Sequence, residues 1–251
     1  MSVEVSKNIV QKHNVVVNKN IEFISNVPIT EFDIKDAGFT ILSKAKLLPN
    51  TLEERIKSVS KKQKNIIIGK FLRDNKDINK YLMDSFIRLR QNFVEANNIM
   101  PEEILCIKKD AIYLIRKFPY VLNIDEVEFV RKSEFSTYFY ANRKEFYYSS
   151  KMKKLVVKGF SNSDFQFFKD IETILKLSEK LEKKDLLMFV RDYRDRYLNF
   201  ELPIDTYRNV DSGRFDYGNF ELTEINSDFK DDIDISYNYI TYLLPLIKNI
   251  I

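Results

Sequence analysis

The chain has little of what two common kinds of site require. Its 251 residues include one cysteine, Cys106, and one histidine, His13. A lone cysteine excludes a disulfide within the chain, and the sequence has no Cys/His cluster that could form a zinc site. His13 lies in a polar stretch near the N-terminus, where chains are usually mobile. We therefore do not expect catalysis by a histidine base.

Glycine and proline are also scarce, with 5 and 6 residues respectively. This scarcity leaves little room for long linkers. Hydrophobic residues make up 44% of the chain and charged residues 31%, a balance that excludes an intrinsically disordered protein. The length suffices for one large domain or two small ones, so we expect a sizeable hydrophobic core.

Membrane and export signals are weak in this sequence. Charged residues interrupt the apolar residues near the N-terminus, which argues against a signal peptide. The apolar C-terminal stretch contains Asp234, Pro245 and Lys248, which favour a docked helix over a membrane span. We predict a cytoplasmic protein with no membrane partner. The abundance of Ile, Lys and Asn suggests an AT-rich genome, and with it a viral or phage origin.

The charge is unevenly distributed, although the net charge of +4 is too mild to identify a nucleic-acid-binding protein. Basic residues outnumber acids from Arg55 to Arg90, whereas acids dominate from Asp216 to Asp234. This asymmetry fits a surface that faces a polyanion. Two solvated helical faces would explain the same pattern.

The hydrophobic pattern alternates between strand and helix periods and predicts an α+β fold. We expect short strands over 22–33, helices over about 50–100, a hairpin over 104–115, further strands over 127–160 and helices from 164 onward. This order predicts an antiparallel sheet with a helical insertion at about 50–100. Residues 1–160 would form that α+β domain, and residues 161–251 a helical C-terminal region.

Two aspartates mark the ends of predicted strands. Asp33 follows an apolar run, and Asp110 stands at the predicted tip of the 104–115 hairpin. Two carboxylates on neighbouring strands can hold two divalent cations about 3.5–4 Å apart, the arrangement that drives phosphoryl displacement. Simpler roles exist for each residue. Asp33 could cap a helix, and Asp110 could be a turn residue.

A basic, helical stretch separates the two aspartates and carries Lys61, Asn65 and Gly69 at four-residue spacing. In this order of acid, basic helix and acid, the chain resembles a much-reduced family B DNA polymerase over roughly residues 29–160. That family's first motif is Asp, two residues, then Ser-Leu-Tyr-Pro. Asp33 matches the aspartate, whereas the residues from Asp36 to Phe39 differ.

The other two motifs of this family also match in part. The fingers motif is Lys, three residues, Asn-Ser, one residue, Tyr-Gly, and here Ile66 and Ile68 replace the serine and tyrosine. The third motif is Asp-Thr-Asp-Ser, where Lys108, Lys109, Asp110 and Ala111 stand in this chain. Only the second acid of that motif is kept, as Asp110.

The resemblance implies a palm-like sheet, inserted fingers-like helices and a thumb-like C-terminal region. Asp33 and Asp110 would be the catalytic residues that bind Mg²⁺ or Mn²⁺, which prefer hard oxygen ligands. Lys61 would neutralise the triphosphate, assisted by Asn65, and Gly69 would let a base pair approach closely. These residues would bind a nucleoside triphosphate.

The resemblance also implies a sugar preference and a nucleic-acid contact. Gly38 stands where the family has a tyrosine that screens the ribose 2′-hydroxyl, unless the neighbouring Phe39 fills that space. We therefore expect weak discrimination between deoxy- and ribonucleotides, as in a primase. Lys158 would contact the nucleic-acid backbone as a point charge.

Three hypotheses about function follow. The first is a nucleotidyltransferase of polymerase or primase type that acts on a primer–template or single strand. The second is a palm that has lost catalysis and binds nucleic acid or replication proteins, with Lys108 and Lys109 as a phosphate-binding tip. The third is a structural or assembly protein, whose 20 Phe and 14 Tyr fill a core.

Overall fold

The computed structural model describes residues 3–11, 16–115, 120–212 and 235–250. His13 and the acidic stretch 216–234 lie outside the described residues. The chain divides into two compact units. The first unit comprises residues 1–19 and 29–134, and the second comprises residues 20–28 and 135–251.

Helices and strands follow one another in blocks along the described chain. The described helices are α1 (Val3–Val10), α2 (Ala37–Lys44), α3 (Asn50–Lys57), α4 (Lys61–Asp74), α5 (Lys76–Ala96), α6 (Gln166–Ser178), α7 (Lys183–Leu198), α8 (Ile235–Asn238) and α9 (Leu244–Ile250). The described strands are β1 (Val16–Val17), β2 (Phe23–Ile24), β3 (Ile29–Ile34), β4 (Ile104–Lys108), β5 (Ala111–Leu114), β6 (Asn123–Ile124), β7 (Val127–Phe135), β8 (Thr137–Ala141), β9 (Lys144–Ser149) and β10 (Lys154–Lys158). Short 3-10 helices cover Pro101–Glu103 and Ile204–Tyr207, and a π-helical turn, Tyr239–Leu243, joins α8 to α9.

The first unit is built around a six-stranded sheet, in the order β1-β4-β5-β3-β7-β6 for the described residues. β5 pairs antiparallel with both β4 and β3. Successive residues of a strand point to opposite faces. Phe32 and Ile34 of β3 therefore join the hydrophobic core, while Glu31 and Asp33 lie on the other face.

Helices fill the other side of this core. Ile41 of α2, Ile56 of α3, Ile68 of α4 and Phe93 of α5 all belong to the same buried cluster as Phe32. Helices α3, α4 and α5 stand between β3 and β4 in the chain, where the sequence predicts the helical insertion. Together with the antiparallel strands, they confirm the predicted α+β fold class.

The second unit contains a four-stranded sheet, in the order β10-β9-β8-β2 for the described residues. Its core is rich in aromatic rings. The ring of Phe146 in β9 lies 5.3 Å from that of Phe139 in β8, measured between centroids. It also lies 6.2 Å from Phe168 of α6 and 5.9 Å from Tyr242 of the π-helical turn. Strands and helices of this unit therefore share one core.

The unit boundary differs from the sequence-based division into residues 1–160 and 161–251. The two units divide between Glu134 and Phe135, and residues 20–28 belong to the second unit. Strand β2 joins that unit because Phe23 pairs opposite Phe139 of β8. The alternation of a strand shows which of its faces is buried. It does not show which helix covers that face, so β8–β10 could not be assigned from the sequence.

Within the second unit, Asp211 links the C-terminal helical segment to the β8–β9 hairpin. Its Oδ1 lies 2.8 Å from Lys144 Nζ, and its Oδ2 accepts a 2.7 Å hydrogen bond from the Tyr242 hydroxyl. The hydroxyl of Tyr237 donates to the same oxygen. Burial raises the pKa of Asp211, but the hydrogen bonds from these three residues outweigh burial and hold the pKa below its ordinary value.

Replacing Asp211 by asparagine is expected to lower the free energy of unfolding of the second unit by about 2 kcal/mol at neutral pH, because charge-assisted hydrogen bonds are lost. A carboxyl with a depressed pKa in the folded state stabilises the fold above its ordinary pKa of about 4. That contribution is lost as the pH falls through the folded-state pKa. The difference in the free energy of unfolding between wild type and Asp211→Asn should therefore become smaller at acidic pH. Urea unfolding at neutral and acidic pH, followed by circular dichroism, measures it.

Asp205→Asn is the matched control for this prediction. Asp205 is exposed and contacts Arg208 at 3.2 Å, and an exposed ion pair of this kind contributes at most about 1 kcal/mol. An equal loss of stability in both variants would contradict the assigned role of Asp211. So would a loss in Asp211→Asn that does not change with pH.

Candidate active site

The candidate site begins with the register of β3 against β5. Asp33 pairs opposite Ala111, and Glu31 pairs opposite Tyr113. Because Glu31 and Asp33 are two residues apart in a strand, both point to the face away from the hydrophobic core. Ala111 directly follows the hairpin turn, so this register brings Asp33 beside Asp110.

The turn that carries Asp110 is as short as a hairpin allows. Lys108 pairs opposite Ala111, so only Lys109 and Asp110 connect β4 to β5. Lys109 has a φ of 45°, and two-residue hairpin loops require a positive φ at this position. The Asp110 carbonyl accepts a 3.2 Å hydrogen bond from the amide of Ile34. The turn is therefore fixed to the end of β3.

The carboxyl groups of Asp33 and Asp110 interact directly. Burial raises the pKa of Asp110, and the charge of Asp33 and a hydrogen bond between the two carboxyls raise it further. The nearby ammonium of Lys132 acts in the opposite direction. When both carboxyls are ionised, their like charges would attract a cation. The structure thus brings together the two aspartates that the sequence singled out.

Lys132 of β7 is a third member of this cluster, and Glu31 is a fourth. The Nζ atom of Lys132 lies 2.8 Å from Asp33 Oδ2 and 3.3 Å from Glu31 Oε1. Burial lowers the pKa of Lys132, but the hydrogen bonds and charges of these two acids outweigh burial and raise it. The cluster therefore contains three carboxyl groups and one ammonium.

Arg90 supports the turn from the side of the helices. It lies in α5, is only 1% exposed, and donates a hydrogen bond from Nη1 to the carbonyl of Lys109. Burial lowers the pKa of Arg90 to about 10, and the charge of Asp110 works against that shift. The guanidinium therefore remains charged at neutral pH, next to the turn that carries Asp110.

The predicted nucleotide-binding residues of α4 lie on one exposed side of that helix. Lys61, Asn65 and Gly69 are all exposed, and a Cβ atom added to Gly69 would meet nothing within 4 Å. The lysine that reaches towards α2 is Lys64. Its Nζ lies 3.7 Å from Asp36 Oδ2 and 5.5 Å from the ring centroid of Phe39.

Gly38 and Asp36 have structural surroundings that the sequence did not indicate. A Cβ atom on Gly38 would lie 3.3 Å from Cγ2 of Ile68, so a glycine here allows α2 to approach α4 closely. The space beside Gly38 is thus partly filled by Ile68. Asp36 lies near the end of β3 but pairs with Lys64. The carboxylate that shares Lys132 with Asp33 is Glu31.

The three lysines predicted to bind nucleic acid differ in position. Lys108 is half-buried, with its ammonium 5.3 Å from the ring centroid of Tyr113, and Lys109 is exposed in the hairpin turn. Both therefore flank Asp110. Lys158 belongs to β10 in the second unit, where it pairs opposite Glu145. Its predicted contact with nucleic acid stays a prediction.

The acidic pair suits a divalent cation that takes some of its ligands from the protein and the others from a substrate. Mg²⁺ is usually bound through one or two carboxylates together with water and substrate phosphates. Asp33 and Asp110 supply two such carboxylates, and burial together with the charge of Asp33 raises the pKa of Asp110. Among the described residues, no group of three or more His, Cys, Asp or Glu side chains is arranged to hold a metal ion. The residues fit a cation that depends on substrate for its remaining ligands.

In the described part of the chain, no helix combines the length and apolar character needed to cross a membrane. No curated protein matches the sequence. The family model described as bacteriophage PBS1 gene 130 protein matches residues 5–251. The chain therefore belongs to the bacteriophage PBS1 gene 130 protein family.

Proposed function

We propose that this phage protein is a nucleotidyltransferase of polymerase or primase type, which adds nucleotides to a nucleic-acid strand. The observation that carries the proposal is the register of β3 against β5, which brings Asp33 beside Asp110 on the polar face of the first unit's sheet. Each acid comes from a separate strand or turn. Their order along the chain, with the exposed residues of α4 between them, gives further support.

Each residue of the site has a role in this reaction. Asp33 and Asp110 would hold Mg²⁺ or Mn²⁺, and the bound cation would supply the charge that lowers the pKa of an attacking hydroxyl and neutralises the leaving pyrophosphate. Lys61 and Asn65 bind the nucleoside triphosphate from α4, and the open space at Gly69 admits the base pair. Lys108 and Lys109 contact the phosphates of the strand beside Asp110. Lys158, which belongs to the second unit, is a separate candidate for a phosphate contact.

Substrate and setting follow from the same proposal. A glycine at position 38 leaves no side chain of its own to exclude a ribose 2′-hydroxyl, so both deoxy- and ribonucleotides are accepted. Nucleic acid is the partner, either as a primer–template or as a single strand. The reaction takes place in the cytoplasm of the phage's host, together with other replication proteins.

Extension of a labelled primer–template tests this function. The full-length protein is incubated with Mg²⁺ or Mn²⁺, and dNTPs and rNTPs are supplied separately. We expect extension that requires the cation, stops on addition of EDTA, and proceeds at comparable rates with the two kinds of nucleotide. The absence of extension under every condition would contradict the proposal. A strong preference for dNTPs would contradict only the role given to Gly38.

Replacing Lys61 by alanine is expected to raise the KM for nucleotide about tenfold, which corresponds to a loss of about 1.4 kcal/mol of binding free energy. Lys61 is exposed, so the substitution should leave the fold intact. Lys62→Ala is the matched control, because Lys62 is also exposed but points about 100° away around the helix. Equal changes of KM in both variants would contradict a specific contact with the triphosphate. Steady-state kinetics with varied nucleotide concentration measures the difference.

Two observations favour the second candidate function, a catalytically inactive palm that binds nucleic acid. Lys132 already neutralises Asp33, and Lys108 stands where the family B motif has its first acid. An inactive palm would bind nucleic acid with an affinity that falls steeply with salt and would not extend a primer. Binding measured by fluorescence anisotropy at several salt concentrations separates the two functions when combined with the extension assay.

A further inference from the structure

We propose that Lys132 is a built-in competitor of the divalent cation, and that Glu31 receives its ammonium when the cation binds. This inference rests on the proposed function, because it assigns the cation to Asp33 and Asp110. It adds a residue that controls how tightly the cation is held. It also gives a role to a buried acid, Glu31, that the proposed chemistry does not use.

The exposure of the three side chains shows which of them can move. Asp33 and Glu31 are 13% and 5% exposed, so the surrounding strands hold both acids. The Lys132 side chain is 51% exposed, and its four-carbon stem is flexible. Lys132 is therefore the member of the cluster that changes position at little cost.

The place of the ammonium explains the competition. Lys132 Nζ lies 2.8 Å from Asp33 Oδ2, the separation of a charge-assisted hydrogen bond. A cation bound to that oxygen would be repelled by the ammonium at this distance. The cation can bind tightly only when Lys132 has left Asp33.

Glu31 provides the position to which Lys132 moves. Its Oε1 is already 3.3 Å from Lys132 Nζ, and it lies on the same face of β3 as Asp33. A small rotation of the Lys132 stem would shorten the contact between its Nζ and Glu31 Oε1 and break the contact with Asp33. The ammonium then keeps a carboxylate partner, and Asp33 becomes available to the cation.

The test is the affinity of the full-length protein for Mn²⁺, followed through the electron paramagnetic resonance signal of the free ion and without substrate. Lys132→Met removes the charge and keeps most of the stem, and we expect Mn²⁺ to bind about tenfold more tightly. Lys132→Arg keeps the charge and should show no such gain. Lys132→Gln provides a second neutral variant if the methionine variant fails to fold.

Lys35→Met is the matched control for the removal of a positive charge. Lys35 lies just beyond β3 and forms a 2.6 Å ion pair with Glu128, an acid outside the Asp33 cluster. Its removal should change the affinity for Mn²⁺ by less than twofold. A gain as large as that of Lys132→Met would overturn the inference, because the effect would then be general rather than local.

A double-mutant cycle tests the role of Glu31. Glu31→Gln should weaken Mn²⁺ binding several-fold in the wild-type background, because Lys132 then stays on Asp33. In the Lys132→Met background the same change should have little effect. Equal weakening in both backgrounds would overturn the role of Glu31 as the acceptor of Lys132.

The failure of this inference can be distinguished from the failure of the proposed function. Wild-type binding of Mn²⁺ that Asp110→Asn abolishes and Lys132→Met does not strengthen would overturn the competition alone. Mn²⁺ binding that is the same in wild type, Asp110→Asn and Lys132→Met would overturn both, because the acidic pair would then not be the cation site. Mn²⁺ binding that Lys132→Met strengthens and Asp110→Asn abolishes supports both.

Discussion

Replacing Asp110 by asparagine is expected to reduce metal-dependent nucleotide addition about 1,000-fold or more. The substitution keeps the size of the side chain and removes the charge that binds the cation. A catalytic metal contributes several kcal/mol to the stabilisation of a transition state, and each 1.4 kcal/mol is a factor of ten in rate. Single-turnover extension at saturating Mg²⁺ measures the loss. Asp33→Asn should reduce nucleotide addition by a similar factor, because both carboxylates bind the same cation.

Loss of folding would not explain this result. Burial and the charge of Asp33 raise the pKa of Asp110, so its ionised form costs stability in the folded protein. A carboxyl whose pKa is raised in the folded state stabilises the fold most below its ordinary pKa of about 4. That stabilisation is lost as the pH rises through the folded-state pKa. Without metal, Asp110→Asn should therefore melt at a higher temperature than wild type at neutral pH. The difference in melting temperature between Asp110→Asn and wild type should become smaller at acidic pH.

Asp125→Asn is the control for the chemistry of Asp110. Asp125 also lies in a hairpin turn of the first unit, between β6 and β7, and it accepts a hydrogen bond from Asn92 at 2.7 Å. It is not part of the acidic pair, so its extension rate should stay within about twofold of wild type. Retention of the wild-type rate in Asp110→Asn would contradict the two-carboxylate site.

The acidic pair could be predicted from the sequence because local signals define both positions. Apolar runs on either side of Lys108, Lys109 and Asp110 predict a hairpin, and the structure has its turn there. The strand that ends near Asp33 also follows from local pattern. Antiparallel neighbours then bring the two acids together, which is what the register of β3 and β5 does.

Lys132 could not be predicted, because its position depends on tertiary structure. It lies 99 residues after Asp33 in the chain, and no local pattern separates it from its neighbour Arg131. The contact exists because β7 lies beside β3 in the sheet, at a register that packing of the core decides. The position of Glu31 could be predicted from the sequence, because residues two apart in a strand lie on the same face, as Glu31 and Asp33 do.

Helical periodicity also predicts that Arg90 lies on the core-facing side of its helix. Phe86, Arg90 and Val94 are spaced four residues apart in α5, so an arginine stands in line with residues of the core face. All three are buried in the structure. A charged residue on a core face is rarely buried without a partner. The sequence thus indicates an unusual arginine, but only the fold shows that it reaches Lys109.

Replacing Arg90 by alanine is expected to lower the free energy of unfolding by about 3 kcal/mol and to reduce nucleotide addition strongly. The side chain is only 1% exposed, so truncation leaves a cavity in the first unit. It also removes the donor that holds the carbonyl of Lys109. Urea unfolding and the extension assay measure the two effects. Arg88→Ala is the control, because Arg88 lies on the exposed side of the same helix.

Arg90→Met separates the positioning of the turn from the filling of the core. Methionine occupies most of the arginine's volume, and an apolar residue in place of a buried charge often leaves stability unchanged. The Lys109 carbonyl nevertheless loses its donor, and residues that orient a metal ligand typically contribute 10- to 100-fold to affinity or activity. We therefore expect near-wild-type stability with Mn²⁺ binding and nucleotide addition each reduced about tenfold or more. If Arg90→Met lost only stability, the guanidinium would be a packing residue and the turn would hold Asp110 in place without it.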